Sequence, residues 1–169
     1  MALRIRLLGD PILRQKAKKI EIIDEPLKNL AEEMAEIMYS GDGVGLAAPQ
    51  VGLSIRLIVV DIGEGWKAYV NPEVIEKSDE MVVGEEGCLS VPEIFEEVAR
   101  PKWIKIRYQD LEGKYHEEIK ENYASRVFAH EIDHLDGKLF IDYLSLAKRR
   151  ILMPKLNEIR KRSKAMIAK

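Results

Sequence analysis

From Pro26 to Tyr39 the apolar residues Leu27, Leu30, Ala31, Met34, Ile37 and Met38 return at helical spacing, with acids between them. That period places them on one face of an amphipathic helix. The pattern breaks at "GDGVGLAAPQVG", where repeated glycines and a proline predict a loop. "IRLIVVD" (55–61) predicts a strand, and "KAYVNPEV" continues strand-like up to its proline. "IKIRYQDLEGKYHEEI" (104–119) alternates along two arms around "LEG", which predicts a β-hairpin. A second helix is expected from about Tyr123 to Asp136, with Asn122 as N-cap and Gly137 as its stop. Near the start, "GDPILR" (9–14) offers Asp10 as N-cap and Pro11 as first residue of a short helical turn. The last segment, from Leu144, is helical in composition, and Pro154 is expected to end or kink it. Helices and strands do not alternate regularly. This predicts an α+β fold, with mixed or antiparallel sheets packed around a central helix at 123–136 and a further helix at the C-terminal end.

Composition narrows the class. At 169 residues, with no repeat, low-complexity tract or linker, the chain is expected to be one domain over 1–169. A 46% hydrophobic and 33% charged composition describes a globular protein with a heavily ionised surface. The net charge of −2 gives the whole molecule no strong pull toward nucleic acid or membrane. The opening "MALRIRLLGDPILRQKAKK" has too short an apolar run for a signal peptide, and no stretch approaches a membrane span. A single cysteine, Cys88, has no internal disulfide partner. A cytoplasmic location, where a thiol stays reduced and can bind metal, is therefore expected.

The candidate chemistry lies in "AHEIDHLDG" (129–137). His130 and His134 stand four residues apart on a predicted helix, so they share a face and can share one metal ion. Glu131, next to the first of them, can reach a metal-activated water and exchange a proton with it. The bland alternative is a surface helix that happens to carry two histidines. Against it, the chain has only three histidines, and two fall at ligand spacing. The third, His116, is read as a solvated residue of the hairpin. Tyr123 and Val127 continue the His130–His134 stripe, as an apolar pocket wall or as plain core. A metal-activated hydrolase needs a third protein ligand. Asp136, Asp142 and Glu158 lie downstream at spacings that common zinc proteases do not use, whereas Cys88 supplies a strong thiolate upstream.

"GVGLAAPQ" (43–50), "EGCLS" (86–90) and "HEIDH" (130–134) resemble the three motifs of the peptide deformylases, in the family's order, and "GDPILR" resembles its N-terminal motif. The resemblance implies that Cys88, His130 and His134 bind the metal and that Glu131 is the general acid/base. It gives Gln50 and the backbone N–H of Leu89 the role of oxyanion donors. Val44, Gly45 and Gly87 would flank an extended peptide, and Tyr123 and Val127, with Val44 and the His134 side, would line the methionine pocket. The implied reaction is attack of metal-bound hydroxide on the formyl group of N-formylmethionyl nascent peptides. The implied metal is Fe(II), with Zn(II), Ni(II) and Co(II) as alternatives; a Cys-His-His set by itself suggests zinc. The spacing matches the compact bacterial class. Two positions depart from many relatives: Phe95 stands where some carry arginine, and Ala129 where many carry glutamine.

The tail carries Lys148, Arg149, Arg150, Lys155, Arg160, Lys161, Arg162, Lys164 and Lys169 against one acid, Glu158. It reads either as a solvated helix packed through Leu152, Leu156 and Ile159 or as an RNA contact. Some deformylases dock at the ribosome through a C-terminal helix, so the resemblance favours the ribosome as partner. Two rival functions remain. A metallopeptidase would share the histidine motif but leave Cys88 and "GVGLAAPQ" unexplained. A silent binding module would keep a structural metal but have no use for Glu131 and Gln50 together.

Overall fold

The computed structural model describes residues 3–168. Its elements are α1 (Glu25–Ser40), β1 (Gly45–Ala47), β2 (Leu57–Val60), β3 (Lys67–Lys77), β4 (Met81–Cys88), β5 (Val91–Pro101), β6 (Trp103–Gln109), β7 (Tyr115–Glu121), α2 (Tyr123–Leu135) and α3 (Leu146–Ile167). Five strands form one antiparallel sheet in the order β1-β2-β3-β6-β7, and β4 and β5 form a separate antiparallel hairpin. The fold is α+β, as the element pattern predicts.

The alternation of β2 explains the layers. Leu57 and Val59 face one way and join Leu27, Ala31, Met34 and Met38 of α1 in one core cluster. Ile58 and Val60 face the other way and meet Val127, Phe128, Ile132 and Leu135 of α2. The sheet is thus buried on both faces, and α2 sits at the centre of the molecule. A third cluster packs Val91, Ile94 and Val98 of β5 against Leu152, Leu156 and Ile159 of α3. Among the described residues no helix is long and apolar enough to cross a membrane.

The Asp10 cap forms as expected, its carboxylate accepting from Ile12 N at 3.1 Å, and Asp24, which the sequence reading did not single out, caps α1 by accepting from Leu27 N at 3.2 Å. The hairpin turns at Asp110–Gly113, where Gly113 takes φ +85°. Four expectations are corrected. The glycine loop is partly ordered: Gly45–Ala47 pairs with β2 as an edge strand, and Ala48–Val51 closes into a 3-10 turn. Pro72 does not end β3; it falls in the register shift between Val70 and Glu73, where the ladder needs no donor from it. Asn122 precedes α2 with φ 54° and makes no side-chain cap. Pro154 does not end the last helix: it lies inside α3, which continues to Ile167. There the proline faces solvent, and buried Leu152, Leu156 and Ile159 clamp the helix to the body on both sides of it.

Candidate metal centre

The three candidate ligands arrive from two elements. Cys88 ends β4, just before the Leu89–Ser90 turn, and His130 and His134 lie on successive turns of α2. One donor atom from each falls within 4.8 Å of the others. Cys88 Sγ lies 3.4 Å from His134 Nε2. A tetrahedral ion with usual sulfur and nitrogen bond lengths requires donors roughly 3.5 Å apart, so the thiol and imidazoles fit a divalent transition metal. His134 is 1% exposed and its Nδ1 has no hydrogen-bond partner among the described residues.

The other side of His130 is tightly held. Its Nδ1–H donates to Glu86 Oε1 at 2.9 Å, which leaves Nε2 as the free ligand nitrogen. Glu86 is buried and takes two parallel bonds from Arg100, Nε and an Nη, both at 2.8 Å, and another from Arg126 Nη1 at 2.8 Å. Burial alone would raise the Glu86 pKa, but Arg100 and His130 outweigh it and hold it down at about 2. Arg126 also donates to the carbonyls of Val82, Gly84 and Val98, stitching the β4–β5 hairpin to α2. Gly84 is required there, because a Cβ would lie 2.9 Å from Arg126 Nε.

Glu131 faces the opposite situation. It is 5% exposed, and its Oε1 has no hydrogen-bond partner among the described residues. Burial pushes its pKa up to about 7. Gly45 makes room for it, since a Cβ would stand 2.6 Å from Glu131 Oε2. A carboxyl group poised near neutrality can both take and return a proton.

A cleft of about 470 Å3 opens over these groups. Val44, Gly45, Gln50, Gly87, Cys88, Leu89, Tyr123, Val127, His130 and Glu131 all line it, so nearly every residue singled out in the sequence converges here. The exception is His134, which lies beside Cys88 Sγ and does not line the cleft. Gln50 is fixed by its neighbours: Oε1 accepts from Ala47 N at 3.0 Å, so Nε2 donates to Ser90 Oγ at 3.1 Å and to Cys88 Sγ at 3.4 Å. Leu89 N donates to no group among the described residues, and its side chain packs under Gly41. Phe95 lies over Gly87, where a Cβ would meet its ring at 2.5 Å, and forms part of the cleft wall. His116 is outside the site. It stacks on Tyr108 and its Nε2 lies 2.7 Å from Asp110, half-buried rather than solvated.

The sequence reading missed Glu86, Arg100, Arg126 and Ser90. One signal was available: Arg100 falls on the same face of β5 as Ile94 and Val98, and a charge on an apolar face needs a buried partner.

Two helix-borne histidines, a strand-borne thiol and a buried glutamate near neutrality are the parts of a metal-dependent hydrolase. The profile of the polypeptide deformylase family matches residues 2–150, and the chain belongs to that family. It is 56% identical over 156 residues to the peptide deformylase of Thermotoga maritima, covering 92% of this chain and 95% of that one. The peptide deformylase of Thermotoga petrophila is 55% identical over the same shares. The crystal structure of the Thermotoga maritima enzyme superposes with a TM-score of 0.84 over 86% of this chain and 99% of that one, at 55% identity. A peptide deformylase from Arabidopsis thaliana, 40% identical, superposes at 0.91 over 99% of this chain and 95% of its own.

Proposed function

We propose that the chain hydrolyses the formyl group from the N-terminal formylmethionine of newly made proteins, releasing formate and a free amine, and that residues 1–169 act as one catalytic unit. The observation that carries this reading is the cluster of Cys88, His130 and His134 beneath a cleft that Gln50, Cys88, His130 and Glu131 line. Cys88, His130 and His134 would hold one divalent metal, which supplies Lewis-acid activation of water and of the formyl carbonyl. Fe(II) is the proposed native ion, with Zn(II), Ni(II) and Co(II) as substitutes.

The residues divide the remaining work. Glu131 takes the proton as water adds to the formyl carbon, then delivers it to the departing amine nitrogen. The Gln50 carboxamide N–H, aimed toward Cys88, and the backbone N–H of Leu89 would face the developing charge on the formyl oxygen. Preorganised donors of this kind contribute about 2.7–4 kcal/mol each to the transition state. Backbone at Val44, Gly45 and Gly87 pairs with the extended peptide in β fashion. Val44, Tyr123 and Val127 enclose the methionine side chain. The basic outer face of α3 is proposed to meet ribosomal RNA, which places the enzyme beside emerging chains in the cytoplasm.

The test is formate release from an N-formylmethionyl peptide, using protein purified without oxygen and loaded separately with iron and zinc. Rapid release supports the reading. No release with either metal bound would favour a silent binding module and defeat it.

A further inference from the structure

The hydrogen-bonded chain that ends on His130 begins at the protein surface. Ala129, Ile132 and Asp133 form a stripe of α2 neighbouring that of His130 and His134. Together with Arg100 and Tyr143 they line a cavity of about 410 Å3 behind the helix. Tyr143, 46% exposed, sits in the 3-10 turn Phe140–Tyr143 that leads from α2 into α3. Its hydroxyl donates to Asp133 Oδ2 at 2.7 Å, and its ring lies 4.5 Å from the Arg100 guanidinium carbon. Asp133 Oδ2 also accepts from Arg100 Nη1 at 2.6 Å. Arg100 then grips Glu86, and Glu86 holds His130.

A guanidinium is flat and rigid, so its two ends cannot turn independently. Any tilt allowed at the Asp133 end is imposed on the paired bonds to Glu86, and through them on the imidazole. Arg126 holds only Glu86 Oε2, whereas Oε1, the oxygen that meets His130, takes its other bond from Arg100 Nη2. The Tyr143 ring covers one face of Arg100 while its hydroxyl anchors Asp133, so one residue constrains the guanidinium both in and out of plane.

We propose that Tyr143, through Asp133 and Arg100, is a positioning residue that fixes the orientation of His130 and so the hold of the site on its metal. The inference rests on the reading of Cys88, His130 and His134 as the ligands. It extends that reading to a residue outside the cleft that touches neither substrate nor metal.

The test uses Co(II) added alone to metal-free protein. The readouts are the thiolate-to-cobalt charge-transfer and ligand-field bands and the rate of cobalt loss to excess chelator. Removing an outer partner of a metal-binding histidine weakens metal binding about 10- to 100-fold, and Tyr143 is further out. Tyr143→Phe, which keeps the ring, is expected to lose cobalt about 3-fold faster than wild type, and Tyr143→Leu and Asp133→Asn about 10-fold faster. The ligand-field bands should shift in the same order, while KM for the formyl peptide stays unchanged in all three variants and the melting midpoint of the metal-free protein stays unchanged in Tyr143→Phe. Wild-type spectra and loss rates in all three variants would overturn the proposal. So would cobalt loss that merely follows a fall in metal-free stability, which is the signature of a structural role. Absence of the thiolate band in wild type would instead overturn the ligand reading itself.

Discussion

Two buried glutamates flank His130, and their surroundings drive them apart. Glu86, from the β4 side, is gripped by Arg100 and Arg126 and held near pKa 2. Glu131, from the cleft side, has an unpartnered oxygen and is pushed to about 7. Each depends on a nearby glycine: Gly45 beside Glu131, and Gly84 beside the arginine that holds Glu86. The difference assigns the work. A carboxylate that stays ionised orients a ligand, and one that exchanges its proton near neutrality does chemistry.

Substitutions can break this comparison. Glu131→Gln removes the proposed proton carrier, and deformylation is expected to fall about 100- to 10,000-fold at unchanged metal content, measured by formate release. Glu86→Gln is expected to act on metal retention and on the fold instead. It leaves Arg100 and Arg126 without their buried counter-charge, which costs about 3–5 kcal/mol in denaturant unfolding.

The pH dependence of the metal-free protein should separate the two carboxyl groups, because they act with opposite sign. Glu86 has a depressed pKa, so its contribution is present above pH 4.5 and is lost as pH falls from there through about 2. Glu131 has a raised pKa and binds its proton more tightly in the folded state. Its contribution is therefore greatest below pH 4.5 and is lost as pH rises through about 7. Glu131→Gln should accordingly stabilise the metal-free protein by about 3 kcal/mol at pH 8 and by little at pH 4, read from urea unfolding at both pH values.

The glycines sharpen the same contrast. Gly45→Ala places a methyl 2.6 Å from Glu131 Oε2. Displacing that carboxylate by about 1 Å should lower kcat roughly 100-fold. Gly84→Ala crowds Arg126 and should cost about 1–3 kcal/mol of stability with most of kcat retained.

The cleft side of this comparison was legible in the sequence and the other side was not. Histidines four residues apart on one helix face announce themselves through a short, local spacing, and Cys88 stands out as the chain's single thiol. Gln50 and Leu89 were reached through the family resemblance, and both line the cleft with the candidate ligands. Glu86, Arg100 and Arg126 look like solvated surface charges in the sequence. Only the pairing of β4 with β5, and the packing of that hairpin on α2, buries them together. The hairpin itself was hidden because Val91, Ile94 and Val98 recur at helix-like intervals. Glu93, at φ 66°, interrupts the strand alternation between the first two. Pro154 misled for a related reason: a local rule against proline in a helix yields where tertiary packing holds both halves in place.

The most direct test of this division of labour is a carbon-detected NMR titration of the glutamate carboxylates in metal-free protein, with Glu86→Gln and Glu131→Gln used for assignment. The account predicts that one buried glutamate, Glu131, titrates near pH 7 while Glu86 stays ionised until the protein unfolds in acid. Titration of both groups together near pH 4–5 would contradict it.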